Sequence, residues 1–230
     1  MPNIVLLNNQ VHRALKVQPG AAARFGDNQR FVAVILGEFP HLVAHYPILL
    51  TKDANTGGFI LGAMLGFDEG ENLFLTSRGM DSYRPLNMQR GCFFTAADQV
   101  AIDLDSPRIG EDGVALFDDK GEPTTYTQSI MALFRDLVRG TEQTRQFTET
   151  LMQLKLLEPV DINASFDDGT RRTFTGLYTI NQNNLRALPD AQVLELFRNG
   201  YLQLIHLMIA SLKQVGVLAQ MKNRALAGAA

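Results

Sequence analysis

Three residues near the start of the chain have types and a spacing that could bind a metal ion. Glu38, His41 and His45 follow one another at steps of three and four positions, which places side chains on one face of a helix. Two histidines and one carboxylate are ligands for non-haem iron and for zinc. Pro40 and Pro47 restrict such a helix to about two turns. The stretch therefore predicts either a metal or acid-base site or a short helix that only packs into the core.

A pair of carboxylates follows a predicted strand further along the chain. Asp103 and Asp105 lie in the string IDLDS, where the alternation of a strand puts both on one face. Paired carboxylates could bind a cation or act as acid and base. Aspartates at the end of a strand also cap turns, and both interpretations stay open at this point.

Arginines surround an irregular segment, SRGMDSYRPLN, which also contains Tyr83. Arg78, Arg84 and Arg90 could hold a carboxylate or a phosphate, because a guanidinium group pairs with two oxygens at once. The alternative is a surface loop that salt bridges hold in place.

Motifs of the common enzyme classes are missing from the sequence. The chain has no P-loop, no glycine-rich dinucleotide fingerprint, no GxSxG elbow, no CxxC pair and no HExxH. The single cysteine, Cys92, excludes an internal disulfide and fits a reducing cytoplasm. Covalent catalysis has no support, and no cofactor is predicted apart from a metal ion at the Glu38 site.

Composition narrows the class of protein. Of the 230 residues, 46% are hydrophobic, which is enough for the core of one large domain or two small ones. The net charge of -3 arises from 21 basic and 24 acidic residues without a block of one sign, and this disfavours nucleic-acid binding. No basic leader is present, and no uninterrupted apolar run reaches the ~20 residues of a membrane span. We expect a cytoplasmic protein without a transmembrane segment.

Hydrophobic periodicity predicts an α+β fold with a mixed or antiparallel sheet. Residues 1–123 are rich in strand-like runs, whereas residues 124–230 have helical periodicity interrupted by one hairpin. Asp168-Gly169 is typical of the turn of such a hairpin. We expect both parts to form a single domain. The predicted strands of the first part are Phe31–Leu36, Ile48–Leu50, Phe59–Phe67, Asn72–Leu75 and Gln99–Leu104.

The second part predicts an antiparallel helix pair and two terminal helices. Gly140 ends the first helix of the pair, and Pro159 follows the second. Asp190 and Gly200 bound a short capped helix. A longer helix is predicted from Tyr201 to about Asn223.

The last predicted helix has a wider apolar face than a surface helix requires. Such a face is either deeply buried or shared with a second copy of the chain, so a homodimer through this helix is an open alternative. His206 on the same helix is interpreted as a core histidine that hydrogen bonds satisfy. The candidate interface residues are Leu202, Ile205, Ile209 and Leu212.

Long strings spread over almost the whole chain carry a resemblance to a known family. They include FVAVILGEFPHLVAHYPILLTKD, GFILGAMLGFDEGENLF, LEPVDINASFDDGTRRTFTGLYTI and LFRNGYLQLIHLMIASLKQVGVL. With them the chain resembles the SapC-like family of bacterial proteins, which is distinct from the membrane permease of the same name. It departs from the family at Leu86–Phe94, where LNMQRGCFF replaces a Tyr-Pro-Phe-like string. The candidate ligand-binding residues are Tyr46, from the shared Tyr-Pro pair, with Arg78, Tyr83, Arg84 and Arg90.

The resemblance implies a soluble accessory role. Similar proteins are associated by name with bacterial surface layers and peptide transport, and they are encoded beside flavin-dependent halogenase-like proteins and outer-membrane receptors. The resemblance supplies no catalytic residues. The favoured hypothesis is a non-catalytic protein that recognises a peptide or protein partner. The alternative is a metal-dependent, non-haem iron-like tailoring enzyme that uses the Glu38 site or the Asp103 pair.

Overall fold

The chain forms two compact units in a computed structural model. The structure describes residues 2–96 and 99–229. The first unit consists of Met1–Asn28 and Leu75–Arg139, and the second consists of Gln29–Phe74 and Gly140–Ala230. Each unit therefore combines segments from both predicted parts of the chain.

Antiparallel strands and helices together confirm the predicted α+β class. The strands are β1 (Ile4–Leu6), β2 (Lys16–Val17), β3 (Phe31–Ala33), β4 (Ile48–Lys52), β5 (Phe59–Met64), β6 (Leu75–Thr76), β7 (Gly79–Met80), β8 (Phe93–Ala96), β9 (Gln99–Asp103), β10 (Val114–Ala115), β11 (Leu157–Ser165) and β12 (Arg171–Ile180). The helices are α1 (Phe39–Leu42), α2 (Leu86–Gln89), α3 (Thr125–Gln153), α4 (Gln182–Arg186), α5 (Asp190–Arg198), α6 (Tyr201–Ser211) and α7 (Gln214–Ala229).

The sheets of the first unit are small and antiparallel. β1, β9 and β8 form a three-stranded sheet in that order, while β2 pairs with β10 and β6 pairs with β7. In the three-stranded sheet, Ile102 lies opposite both Val5 and Phe93. Ile102 and Phe93 are fully buried, so apolar burial anchors this sheet in the core of the unit.

The second unit contains a five-stranded antiparallel sheet in the order β11-β12-β4-β5-β3. Ile48, Leu49 and Leu50 of the central strand β4 are fully buried. A strand with both faces covered reads as a continuous apolar run and not as an alternating one. The backbone N–H of Ile48 also donates to the Ser211 Oγ of α6 at 2.9 Å, which ties this helix to the start of the strand.

The predicted hairpin is confirmed as β11 and β12. Its turn contains Asp168 and Gly169, and the backbone N–H of Phe166 donates to the Thr170 carbonyl at 2.9 Å. Asp168 Oδ1 accepts from the backbone N–H of Thr170 at 2.9 Å, a local bond that favours the turn. The hairpin was predictable because short-range chemistry alone determines it.

The predicted helix pair between residues 124 and 157 is wrong. Thr125–Gln153 is one continuous helix of 29 residues, and Gly140 lies inside it. A Cβ atom at Gly140 would lie 2.3 Å from Ile35 Cδ1, so the glycine permits a close approach and does not end the helix. Glycine in a helix costs about 1 kcal/mol relative to alanine, and here this cost is offset by packing.

Four predicted strands are shorter in the structure. Phe59–Phe67 reduces to β5, Gln99–Leu104 reduces to β9, and of Asn72–Leu75 only Leu75 is in a strand, at the start of β6. Phe31–Leu36 reduces to β3, because the chain enters a tight turn at Leu36–Glu38. In Asn72–Leu75, Asn72 Oδ1 accepts from the backbone N–H of Phe74 at 3.1 Å. This side-chain bond favours a turn over an extended strand.

The terminal helix is interrupted, although the prediction of one long helix is otherwise close. α6 and α7 are separated at Leu212 and Lys213. Taken together, Tyr201–Gly228 is long and apolar enough to cross a membrane by length and composition, with a mean hydropathy of 1.5 in its most apolar 18-residue window. Only 22% of that window is buried. The core helix of a globular protein passes the same test of length and composition.

Candidate functional site

The structure separates the members of the predicted metal trio. The Glu38 side chain is buried, and its Oε2 accepts from the Ile35 backbone N–H at 2.9 Å. His41 is exposed and His45 is half-buried. Within the part of the chain that the structure describes, no group of three His, Cys, Asp or Glu side chains could hold a metal ion. The described structure therefore does not gather the three side chains into a metal site, because the helical spacing ends with the four-residue helix α1.

The short packed helix, which was the alternative for this stretch, agrees with the structure. Phe39, Leu42 and Tyr46 are fully buried. The Tyr46 ring meets Phe74 edge to face, with ring centroids 4.6 Å apart, an arrangement that aromatic pairs favour. Tyr46 is thus a core residue and not part of a ligand-binding surface.

The acidic pair caps a turn. Asp103 Oδ1 accepts from the backbone N–H groups of Asn3 at 2.9 Å and of Asp105 at 3.1 Å. Asp105 is exposed. These bonds engage the Asp103 carboxylate with the backbone, which supports the turn-capping alternative.

The predicted arginines lie in different surroundings within the first unit. Arg90 donates from Nη1 to the Phe93 carbonyl at 2.8 Å and stacks on Phe94, with 4.6 Å from Cζ to the ring centroid. Its burial lowers the pKa of Arg90. Arg78 is exposed and Tyr83 is half-buried. Arg90 therefore has a packing role, while Arg78 is accessible to solvent.

Arg84 is a half-buried cation without a carboxylate partner among the described residues. Its Nη2 donates to the carbonyls of Met88 at 2.9 Å and Gln89 at 3.2 Å, whereas its buried Nε has no hydrogen-bond partner. Burial lowers the pKa of Arg84 and the positive charge of Arg108 lowers it further, whereas the negative charge of the nearby Asp27 acts in the opposite direction. The alternative prediction for these arginines, a surface loop that salt bridges hold in place, therefore does not explain the position of Arg84.

The first unit contains a buried ion pair that no sequence pattern predicted. Arg108 Nη2 donates to both carboxylate oxygens of Asp27, at 2.8 and 2.6 Å, and Nη1 donates to the Gly20 carbonyl at 2.8 Å. The Arg108 guanidinium also lies over the Phe25 ring at 4.5 Å. The two charged partners are 81 positions apart, so no local pattern connects them.

A wide groove in the first unit, the apolar groove, is a candidate binding surface. Its volume is about 940 Å³, at the upper end of the range for ligand sites. It extends from the residues after β1 across β8 and β9 to the first half of α3. The groove is lined by Leu7, Asn8, Asn9, Thr95, Gln99, Val100, Phe117, Pro123, Thr127, Met131, Phe134, Arg135, Val138 and Arg139.

One face of α3 supplies the exposed apolar and cationic groups of the groove. Met131 and Val138 are 39% and 58% exposed, whereas Phe134 between them is buried. Arg135 and Arg139 are one turn apart on the same helix and are also exposed. The groove thus combines apolar contact area with two positive charges.

Most other polar groups of the groove are used within the protein. Asn9 Nδ2 donates to the Gly121 carbonyl at 3.0 Å, and Thr127 Oγ1 donates to the Leu116 carbonyl at 2.6 Å. The described lining contains no carboxylate, imidazole, thiol or amine. The groove therefore offers binding contacts and not general acid or base groups. The sequence did not predict the groove, because the exposed Val138 follows the same helical spacing of apolar residues as the buried residues of α3.

The candidate interface on the terminal helix is only partly accessible. Ile205 is fully buried within the second unit, so it cannot contact a second copy of the chain. Leu202, Ile209 and Leu212 are half-buried. His206 is exposed, with Nδ1 2.7 Å from the Leu202 carbonyl oxygen, and its prediction as a core histidine is wrong.

Comparison with known proteins assigns a family. The SapC family model matches residues 7–218 of the chain, which includes most of both units. Neither a curated protein nor a solved structure matches the chain significantly.

Proposed function

The chain belongs to the SapC family, and on that premise we propose that it is a non-catalytic binding protein whose apolar groove holds a peptide segment of a partner. The preferred segment is extended, mainly apolar and carries a carboxylate. A role linked to peptide uptake, surface layers or halogenase-associated systems is part of the same proposal.

The observation that carries this proposal is the pairing of exposed apolar and cationic side chains on α3. Exposed apolar patches mark interaction sites, and Met131 and Val138 provide one in a concave surface. Arg139 contacts Asp136 at 3.1 Å, but this pair is highly exposed and contributes little. The described lining has no acidic residue of its own, so charge complementarity favours an acidic group on the partner.

A labelled synthetic peptide tests the groove directly. We expect the peptide Gly-Leu-Val-Leu-Asp to bind, as measured by fluorescence anisotropy, and its amidated Asn counterpart to bind less tightly. Val138→Asp should weaken binding of the acidic peptide by about tenfold or more, because it places a charge in the apolar surface and repels the carboxylate.

A matched control separates the groove from general surface effects. Val11 is 79% exposed in the same unit and does not line the groove. Val11→Asp should therefore leave the affinity unchanged. Equal losses in both variants, or binding of palmitate without binding of the peptide, would contradict the proposal.

We also propose a homodimer through the terminal helices. The homodimer is supported by the apolar surface of Tyr201–Gly228 that the rest of the chain does not cover. This surface includes Val217, which is 45% exposed. Analytical ultracentrifugation should give twice the chain mass, and Val217→Glu should shift the protein to monomers. A monomeric wild-type protein that binds lipid vesicles would instead assign this surface to a membrane.

A further inference from the structure

A second concave site in the first unit, the arginine hollow, carries an inference that is independent of the apolar groove. Its volume is about 400 Å³, enough for a small molecule. Two backbone segments and three arginines form it. The hollow is lined by Pro19, Gly20, Ala21, Ala22, Arg24, Phe25, Ser77, Arg78, Gly79, Met80 and Arg84.

The charges of this hollow are of one sign. Arg24 comes from one segment of the chain, Arg78 and Arg84 come from a second segment, and no acidic residue is among the described lining. None of the three forms a salt bridge with another described residue. Asp27, which follows this segment, is already bound through both oxygens by Arg108.

Each arginine is positioned differently. Arg24 donates from Nη2 to Gln18 Oε1 at 3.1 Å and lies over the Phe25 ring at 4.7 Å, so its plane is oriented by neutral groups. Arg84 keeps a buried Nε that has no partner. Arg78 is exposed at the rim. The only carboxylate that acts on Arg84 in the described surroundings, Asp27, is bound directly by Arg108. The positive charge of the hollow is therefore only partly compensated, and an anion in the hollow is favoured.

We propose that the arginine hollow binds a phosphate group, either as the free ion or as part of a small phosphorylated molecule. Guanidinium groups bind phosphate oxygens through charge-assisted hydrogen bonds. Three cations around one hollow suit a tetrahedral dianion, whereas a carboxylate presents its two oxygens in one plane.

Isothermal titration with inorganic phosphate, at an ionic strength held constant with sodium chloride, tests the site. We expect saturable binding to the wild-type chain. Arg78→Gln should weaken it by about tenfold, since a hydrogen bond to a charged group is lost. Arg24→Gln should also weaken it, and unfolding curves check that both variants remain folded. Phenyl phosphate in a parallel titration separates a site for a phosphorylated molecule, which binds it at least as tightly, from a site for the free ion.

The control is Arg13→Gln, which removes the same charge from an exposed position of the first unit outside the hollow. It should leave phosphate binding unchanged. The proposal is overturned if phosphate does not saturate, if Arg13→Gln and Arg78→Gln have equal effects, or if succinate binds as tightly as phosphate. Peptide binding in the apolar groove should be unaffected by Arg78→Gln, so the two proposals fail separately.

Discussion

The arginine hollow of the first unit differs from the acidic loop of the second unit, residues 68–72, in how its charges are paired. In the acidic loop, Asp68 pairs with Arg172 at 2.9 Å and with Lys222 at 2.8 Å. Glu71 also bonds Lys222, and its other oxygen caps the Phe67 backbone N–H at 2.8 Å. In the arginine hollow, no described carboxylate pairs with the lining cations.

This difference separates structural charges from charges available to a ligand. The acidic loop is rich enough in carboxylates to suggest a cation site, but two of them, Asp68 and Glu71, already pair with Lys222 and Arg172. Lys222 shows the balance, because burial lowers its pKa while the bonds to Asp68 and Glu71 outweigh this and raise it. Unbalanced charge in a concave surface is therefore the more informative signal of binding.

The largest effect on stability is expected for Arg108, the first-unit arginine that pairs with a buried carboxylate. Arg108→Met leaves the Asp27 carboxylate buried without its partner, and breaking a buried pair in this way costs about 3–5 kcal/mol. Chemical denaturation measures the loss. Arg139→Met, which breaks an exposed pair, is the control and should cost under about 1 kcal/mol. Similar values for both would show that the Asp27 pair does not stabilise the unit.

A smaller effect is expected for Arg84, which forms no salt bridge with a described residue. Arg84→Met removes donors from two backbone carbonyls but leaves no buried carboxylate behind, so the free energy of unfolding should fall by about 1–2 kcal/mol. The same denaturation experiment applies. A loss as large as that of Arg108→Met would mean that the charge interaction of Arg84 with Asp27 stabilises the unit as much as the Arg108 pair does, and would remove the contrast between the two arginines.

Lys222→Met probes the balanced network of the second unit. The expected loss is about 1 kcal/mol or less, since Asp68 is 36% exposed and retains Arg172. High salt should reduce the difference between variant and wild type, because partly exposed pairs are screened. An unchanged difference at high salt would mean that packing of the lysine stem, and not charge, is responsible.

The smallest effect is in the pH dependence of that network. Hydrogen bonds from Lys222, and then from Arg172, hold the pKa of Asp68 below its ordinary value. A carboxyl group whose pKa is lower in the folded state stabilises that state at pH values above its pKa in the unfolded chain. This stabilisation is lost as the pH falls through the pKa of the folded state. Stability should thus decline below about pH 4, and the decline attributable to Asp68 should be shallower in Lys222→Met. Parallel pH profiles for both proteins would contradict this.

Local chemistry decided which elements were predictable. The hairpin at Asp168-Gly169 and the helix from Asp190 follow from turn and cap residues within a few positions, and both are present. Gly140 misled the prediction because the same residue that ends helices also permits close packing, here against Ile35. The trio at Glu38 had the right spacing but not enough helix to use it.

The sequence by itself determined the α+β class, the hairpin and the absence of common catalytic motifs, because these depend on periodicity and on neighbouring residues. It also carried the family resemblance that the SapC match over residues 7–218 confirms. Only the tertiary structure decided which charges are balanced. Arg108 meets Asp27 from 81 positions away, and Arg24 lines one hollow with Arg78 and Arg84, which belong to a distant segment of the chain. Charge pairing depends on distances of a few ångströms between groups that the chain order does not relate.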